Sequence, residues 1–171
     1  LSNRIIMAPL TRMRSHANGV PSDLNVEYYK QRSSAGFIIS EATAISKHGV
    51  GYINAPGIYS EEHVQGWKNV TDAVHNEGGN IFLQMFHVGR ISHSDFFDGE
   101  LPIAPSSIRA NGELHTPKGK KDFETPRALE LNEIPLLINE FRMAAQNAKD
   151  AGFDGIELHA ANGYIINQFV D

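Results

Sequence analysis

The stretch Ala151-Gly-Phe-Asp-Gly-Ile-Glu-Leu-His-Ala-Ala-Asn-Gly-Tyr-Ile-Ile-Asn-Gln-Phe169 decides the fold. Ala151-Gly152 reads as a helix stop, because glycine enters the left-handed conformation that ends a helix at little steric cost. A short apolar run, Gly155 to Leu158, follows and reads as a strand. Three polar groups come directly behind it: the imidazole of His159, the amide of Asn162 and the phenol of Tyr164. Taken singly, His159 is more simply a strand cap and Tyr164 a core residue. Three such groups after one strand point to a ligand site at the strand's C-terminal end, as in α/β proteins.

The same punctuation recurs upstream. Ala35-Gly36-Phe37, Gly78-Gly79-Asn80 and Ala151-Gly152-Phe153 each end a helix in glycine and start a strand at once. Strands are expected over Arg4–Met7, Phe37–Ala42, Asn80–Met85 and Gly155–Leu158. Helices are expected over 23–34 behind the N-cap Ser22, from Ser60 to Gly78, and from about Glu133 to Gly152 with Pro135 in its first turn. Between His87 and Asn132 the pattern lapses, with Pro102, Pro105, Pro117 and Pro126. That segment is expected to be an inserted excursion with a hairpin, its Lys118-Gly-Lys-Lys121 cluster a solvated loop.

Strand, helix, strand in this order is the parallel βαβ unit. Four strands and three helices suit an open doubly wound sheet or half of a (β/α)8 barrel. The first βα loop, Pro9-Leu-Thr-Arg-Met-Arg14, holds no Gly-x-Gly-x-x-Gly, so the dinucleotide-binding reading loses its main signal. The expected fold is α/β, the N-terminal half of a TIM barrel with parallel strands and an excursion after the third.

Composition narrows the function. With 171 residues, 41% apolar and 20% charged, the chain can bury a sizeable core. A net charge of -5 disfavours nucleic acid or an anionic membrane as the main partner. The absence of cysteine removes disulfides and thiolate catalysis. No apolar run is long enough to span a bilayer, and the first residues do not read as a secretory leader, so a cytoplasmic location is expected.

The strand ends deliver Pro9-Leu10-Thr11, Ser40 to Thr43, Gln84 to Phe86 and His159 to Tyr164. This nearly uncharged set is a poor metal site, since the eight histidines are scattered, and it forms no Ser-His-Asp group. It suits a flat, neutral heterocycle with carbonyl and N–H groups along one edge, such as a flavin.

The motifs Asn3-Arg-Ile-Ile-Met-Ala-Pro-Leu-Thr-Arg12, Ile39-Ser-Glu-Ala-Thr43, Gly51-Tyr-Ile-Asn-Ala-Pro-Gly57, Gln84-Met-Phe-His-Val-Gly-Arg90, Pro126-Arg-Ala-Leu129 and His159-Ala-Ala-Asn-Gly-Tyr164 occur in order along the whole chain. Together they resemble the N-terminal half of the Old Yellow Enzyme family, FMN-dependent ene-reductases such as N-ethylmaleimide reductase and 12-oxophytodienoate reductase. The resemblance implies that Pro9, Leu10, Thr11, Ala42 and Gln84 bind FMN, with the Thr11 hydroxyl on the flavin O4. It implies that His159 and Asn162 grip the carbonyl or nitro oxygen of an electron-poor alkene and that Tyr164 donates a proton. Tyr52 and Phe86 would shape the substrate pocket, and NAD(P)H would be the reductant. Several relatives carry histidine where Asn162 stands.

Four strands are half a barrel, so a fragment of one FMN-binding domain is expected. The remainder would come from the same chain or a second copy, and the isolated chain is expected to be nearly inactive. Two other readings stand beside this one: a barrel glycoside hydrolase using Glu41 and Glu157, and a non-catalytic half-barrel that serves assembly.

Overall fold

The computed structural model describes residues 1–170. In chain order the strands and helices are β1 (Ile6–Met7), α1 (Asp23–Lys30), β2 (Phe37–Ile39), β3 (Thr43–Ala44), α2 (Glu61–Asn76), β4 (Ile81–Phe86), β5 (Ile103–Ala104), β6 (Glu113–Thr116), β7 (Gly119–Asp122), β8 (Arg127–Ala128), α3 (Ile134–Asp150), β9 (Gly155–Leu158) and α4 (Ile165–Val170).

The main sheet is parallel throughout. β1 pairs with β2, β4 pairs with β2 and β3 along one edge, and β9 pairs with β4 along the other. Strands therefore lie in the order in which they occur in the chain. A doubly wound sheet reverses its order at a switch point, whereas a barrel adds each strand beside the last. The arrangement is half a barrel.

β2 and β3 are one barrel strand interrupted at Ser40-Glu41-Ala42, where an unbroken strand to Ala42 was expected. Side chains take over ladder bonds at the break. The Gln84 backbone N–H donates to Ser40 Oγ at 3.1 Å, and Thr43 Oγ1 donates to the Glu41 carbonyl at 2.9 Å. Glu41 is consequently turned away from the strand ends toward α1. Its carboxylate accepts from Asn25 Nδ2 at 3.0 Å, Tyr29 Oη at 3.2 Å and the Arg12 backbone N–H at 2.9 Å. Burial raises the Glu41 pKa, with those hydrogen bonds pulling the other way. A carboxyl committed to three donors and wholly shielded from solvent is not free to face a sugar, which removes the glycosidase pair. It anchors the loop after β1 instead.

The helices cover the sheet as their apolar stripes require. Ser60 caps α2 by accepting from the His63 backbone N–H at 3.3 Å, and acidic Glu61 and Glu62 occupy the positive first turn. Trp67, Val70, Thr71 and Val74 form the buried face of α2, against Tyr29, Ile38, Ile81 and Leu83 of the core. Thr71 Oγ1 donates to the Ala151 carbonyl at 2.6 Å, tying α2 to the end of α3. Helix α1 is shorter than the expected 23–34, because residues 31–34 form turns beneath Gly36.

The excursion is more ordered than its prolines suggest. β5 and β8 form a parallel pair and β6 and β7 an antiparallel hairpin. The Lys118–Lys121 cluster lies at the turn and in β7 of that hairpin, where Lys118 pairs with Asp95 at 3.1 Å and Lys120 with Glu113. A final helix, α4, follows the last expected strand, in residues to which no element was assigned from sequence. Among the described residues no helix is long and apolar enough to cross a membrane.

Trp67 tests the core. Its ring is fully buried and its Nε1 donates to the Gly57 carbonyl at 3.0 Å. Trp67→Ala is expected to cost about 3–5 kcal/mol in denaturant unfolding, and Trp67→Phe, which strands the carbonyl, about 1–3 kcal/mol.

Candidate active site

A cavity of about 500 Å³ opens at the C-terminal ends of the strands. It gathers Pro9, Leu10 and Thr11 from the loop after β1, Ala42 from the β2–β3 break, Gln84 from β4, and His159, Asn162 and Tyr164 from the segment after β9. Tyr52 closes one side. Nine of the ten residues singled out from sequence thus meet at one surface. Phe86 does not line it: the ring is fully buried and supports the site from behind, 6.5 Å from Tyr52 and edge-on to Tyr164 at 5.5 Å.

Each side chain is placed by identifiable bonds. The Arg12 bond to Glu41 holds the Pro9–Thr11 loop. The His159 backbone N–H donates to the Met85 carbonyl at 3.0 Å, extending the β4–β9 ladder one step past the strand. Asn162 stands at φ +58°, a left-handed conformation that asparagine tolerates better than most residues. That turn swings the chain back so that the Ile165 N–H reaches the His87 carbonyl at 2.9 Å. Gln168 then reaches the Val88 carbonyl at 3.0 Å and accepts from the Arg90 N–H at 3.2 Å, clamping α4 to the end of β4. Gly89, at φ +61°, gives Gln168 that room, since a Cβ there would collide with its amide. Tyr164 is thereby fixed over the cavity.

Sequence reasoning undervalued Glu157. Parallel register sets it opposite Gln84, and Gln84 Nε2 donates to Glu157 Oε1 at 2.6 Å. With its N–H2 so committed, Gln84 offers its carbonyl oxygen as an acceptor to the cavity. The available signal was alternation: Glu157 shares a face with His159, so an acidic residue mid-strand had to point toward the site or be paired.

The donors are neutral. The Ala161 N–H donates to His159 Nδ1 at 3.4 Å, which leaves the ring proton on Nε2. Burial lowers the His159 pKa below its usual 6.5, opposed by Glu157, so the ring is uncharged at neutral pH. Burial first, and the bond to Tyr52 second, raise the Tyr164 phenol well above the ordinary 10.0. Its Oη lies 2.6 Å from Tyr52 Oη, and its ring packs edge-on to His159 at 4.8 Å. Thr11 and Asn162 side chains make no hydrogen bonds among the described residues, so a hydroxyl and an amide face the cavity uncommitted.

These groups fit a flavin ring. An amide carbonyl opposes a ring N–H, a free hydroxyl can meet a ring carbonyl, and backbone at Ala42 permits close approach of a flat edge. Among the described residues no three metal-ligating side chains cluster.

The model of the NADH:flavin oxidoreductase / NADH oxidase family matches residues 1–171. The chain belongs to this family. Among curated relatives of this Old Yellow Enzyme group, a putative 12-oxophytodienoate reductase 11 of Oryza sativa subsp. japonica is 46% identical over 99% of this chain and 47% of its own length. The 12-oxophytodienoate reductase 2 of Arabidopsis thaliana is 45% identical over 99% of this chain and 46% of its own. The Old Yellow Enzyme homologue of Zymomonas mobilis superimposes with a TM-score of 0.95 at 51% identity, covering 98% of this chain and 47% of that one. Morphinone reductase in complex with tetrahydroNAD gives 0.92 at 50% identity, over 98% of this chain and 48% of that one. The chain spans about half the length of these family members, in agreement with the half-barrel sheet.

Two titrations check the electrostatics. The His159 ring should titrate below 6.5 by NMR, remaining neutral through pH 7. In ultraviolet difference titration the Tyr164 step should fall above pH 10 and vanish in Tyr164→Phe; an ordinary midpoint would contradict the burial described.

Proposed function

We propose that this chain is the flavin-facing half of an FMN-dependent ene-reductase, acting on the activated C=C bond of α,β-unsaturated carbonyl or nitro compounds with NAD(P)H as reductant. The cavity carries the reading: a hydroxyl, an amide acceptor, two neutral donors and a protonated phenol meet at the strand ends. The family supports the cofactor, and the tetrahydroNAD bound by morphinone reductase supports a nicotinamide reductant. Residues 1–171 would be half of one barrel domain, completed by further chain or a second copy.

When bound, FMN would supply hydride-transfer chemistry, with NAD(P)H as the source of the hydride and the alkene β-carbon as its acceptor. The protein's own residues do the rest. Thr11 and Gln84 would hold the ring through hydrogen bonds, with Pro9, Leu10 and the Ala42 backbone lining the space beside it. His159 and Asn162 aim N–H donors at the substrate oxygen, where negative charge grows as the hydride arrives. Preorganised donors in a partly desolvated site stabilise such charge more than water does. Being neutral, they also leave no positive charge to lower the Tyr164 pKa. Tyr164, protonated at working pH, gives its proton to the α-carbon.

Tyr164→Phe is expected to slow alkene reduction by about 10²–10⁴-fold while sparing flavin reduction by NAD(P)H. Stopped-flow measurement of the two half-reactions checks this; equal losses would contradict the proton-donor role. Gln84→Leu should weaken FMN binding about tenfold, the equivalent of one hydrogen bond, in a fluorescence titration.

A further inference from the structure

We propose that Tyr52 is the proton-return residue of this site, passing a proton from an outer cavity to Tyr164 after each turnover. The proposal rests on Tyr164 being the proton donor. Three observations carry it. The two phenol oxygens lie 2.6 Å apart, and Tyr52 is the hydrogen-bond partner of Tyr164 Oη. Tyr52 lines the cavity that holds Tyr164 and also lines a second cavity of about 460 Å³. The wall of that second cavity is mainly apolar but carries four polar side chains, Asn18, Lys47, Asn54 and Asp95. Tyr52 therefore stands between a half-buried phenol and a space whose polar wall groups can hold water.

The chemistry needs such a route. Each turnover breaks the Tyr164 O–H bond as the substrate α-C–H bond forms, leaving a phenolate in a site whose burial disfavours charge. His159 is the other titratable ring packed on Tyr164, and Glu157 shares the cavity. Neither is suited to resupply: His159 is neutral and committed to the substrate oxygen, and Glu157 is bonded to Gln84. Tyr52 already touches the oxygen that must be reprotonated. A hydroxyl pair runs in either direction. While Tyr52 donates, the Tyr164 proton is free for the cavity; once that proton leaves, the Tyr52 O–H bond breaks as Tyr164 O–H reforms. Water in the outer cavity then returns a proton to Tyr52. Tyr52 is positioned beside Phe86, ring centroids 6.5 Å apart, and its backbone carbonyl accepts from the Ala55 N–H at 3.4 Å.

The test uses the FMN-loaded protein with Tyr52→Phe and a stopped-flow comparison of first and later turnovers. The first alkene reduction draws on the proton Tyr164 already holds, whereas later ones need its return. The variant should lower the steady-state rate at least fivefold more than the first-turnover rate, and small buffer acids such as imidazolium should restore the later turnovers. Equal loss in both phases, without buffer rescue, would show that Tyr52 only orients Tyr164 and would overturn the proposal. In 13C-tyrosine-labelled protein the Tyr164 Cζ resonance should also move in Tyr52→Phe, and an unmoved resonance would overturn it independently of turnover. Failure here is separable from failure of the donor reading: if Tyr164→Phe leaves alkene reduction intact, the donor assignment falls. If Tyr164→Phe is slow and Tyr52→Phe shows no split, only proton return falls.

Discussion

Strand β4 is the constraint on which the rest of the structure depends. Its backbone serves two neighbours at once, β2 and β3 on one edge and β9 on the other, in strictly parallel register. Parallel pairing brings all strand ends to the same side of the sheet, so polar residues that follow each strand are forced into one neighbourhood. The register is also what sets Gln84 against Glu157 and His159 one step beyond Met85. A slip of one residue would turn each of these side chains to the opposite face.

Electrostatic restraint is the second theme. The barrel strands bring several ionisable groups near the strand ends, yet those facing the cavity are kept neutral or paired. Glu41 is drawn away by Asn25, Tyr29 and Arg12. Glu157 is taken up by Gln84. His159 and Tyr164 are held in their uncharged forms chiefly by burial. The outcome is a set of donors with no fixed charge.

Much of this was legible before the structure. The glycine stops located the starts of β2 and β4 within a residue and that of β9 within two: Gly78 and Gly152 take the left-handed conformation, and Gly36 is required by the close approach of the Asn3 carbonyl. The ordered motifs located nine cavity residues. Less legible features depend on long-range partners. The break at Ser40–Ala42 rests on a side chain capturing the Gln84 N–H from another strand, and no local pattern encodes that. The resemblance implied a pocket role for Phe86, and strand alternation does put it on the same face as Gln84, but the rings of Tyr52 and Tyr164 pack on it and it is fully buried. The Tyr52–Tyr164 contact joins residues 112 positions apart, beyond the reach of any spacing rule.

The backbone at Asn162 carries one more implication. At φ +58° a β-branched side chain would be sterically penalised, whereas asparagine, aspartate and histidine settle there more readily. Of these three, only asparagine and histidine present an N–H without bringing a negative charge. Substitution at this position is therefore channelled by conformation before chemistry selects among what is left, and the asparagine found here falls inside that narrow set.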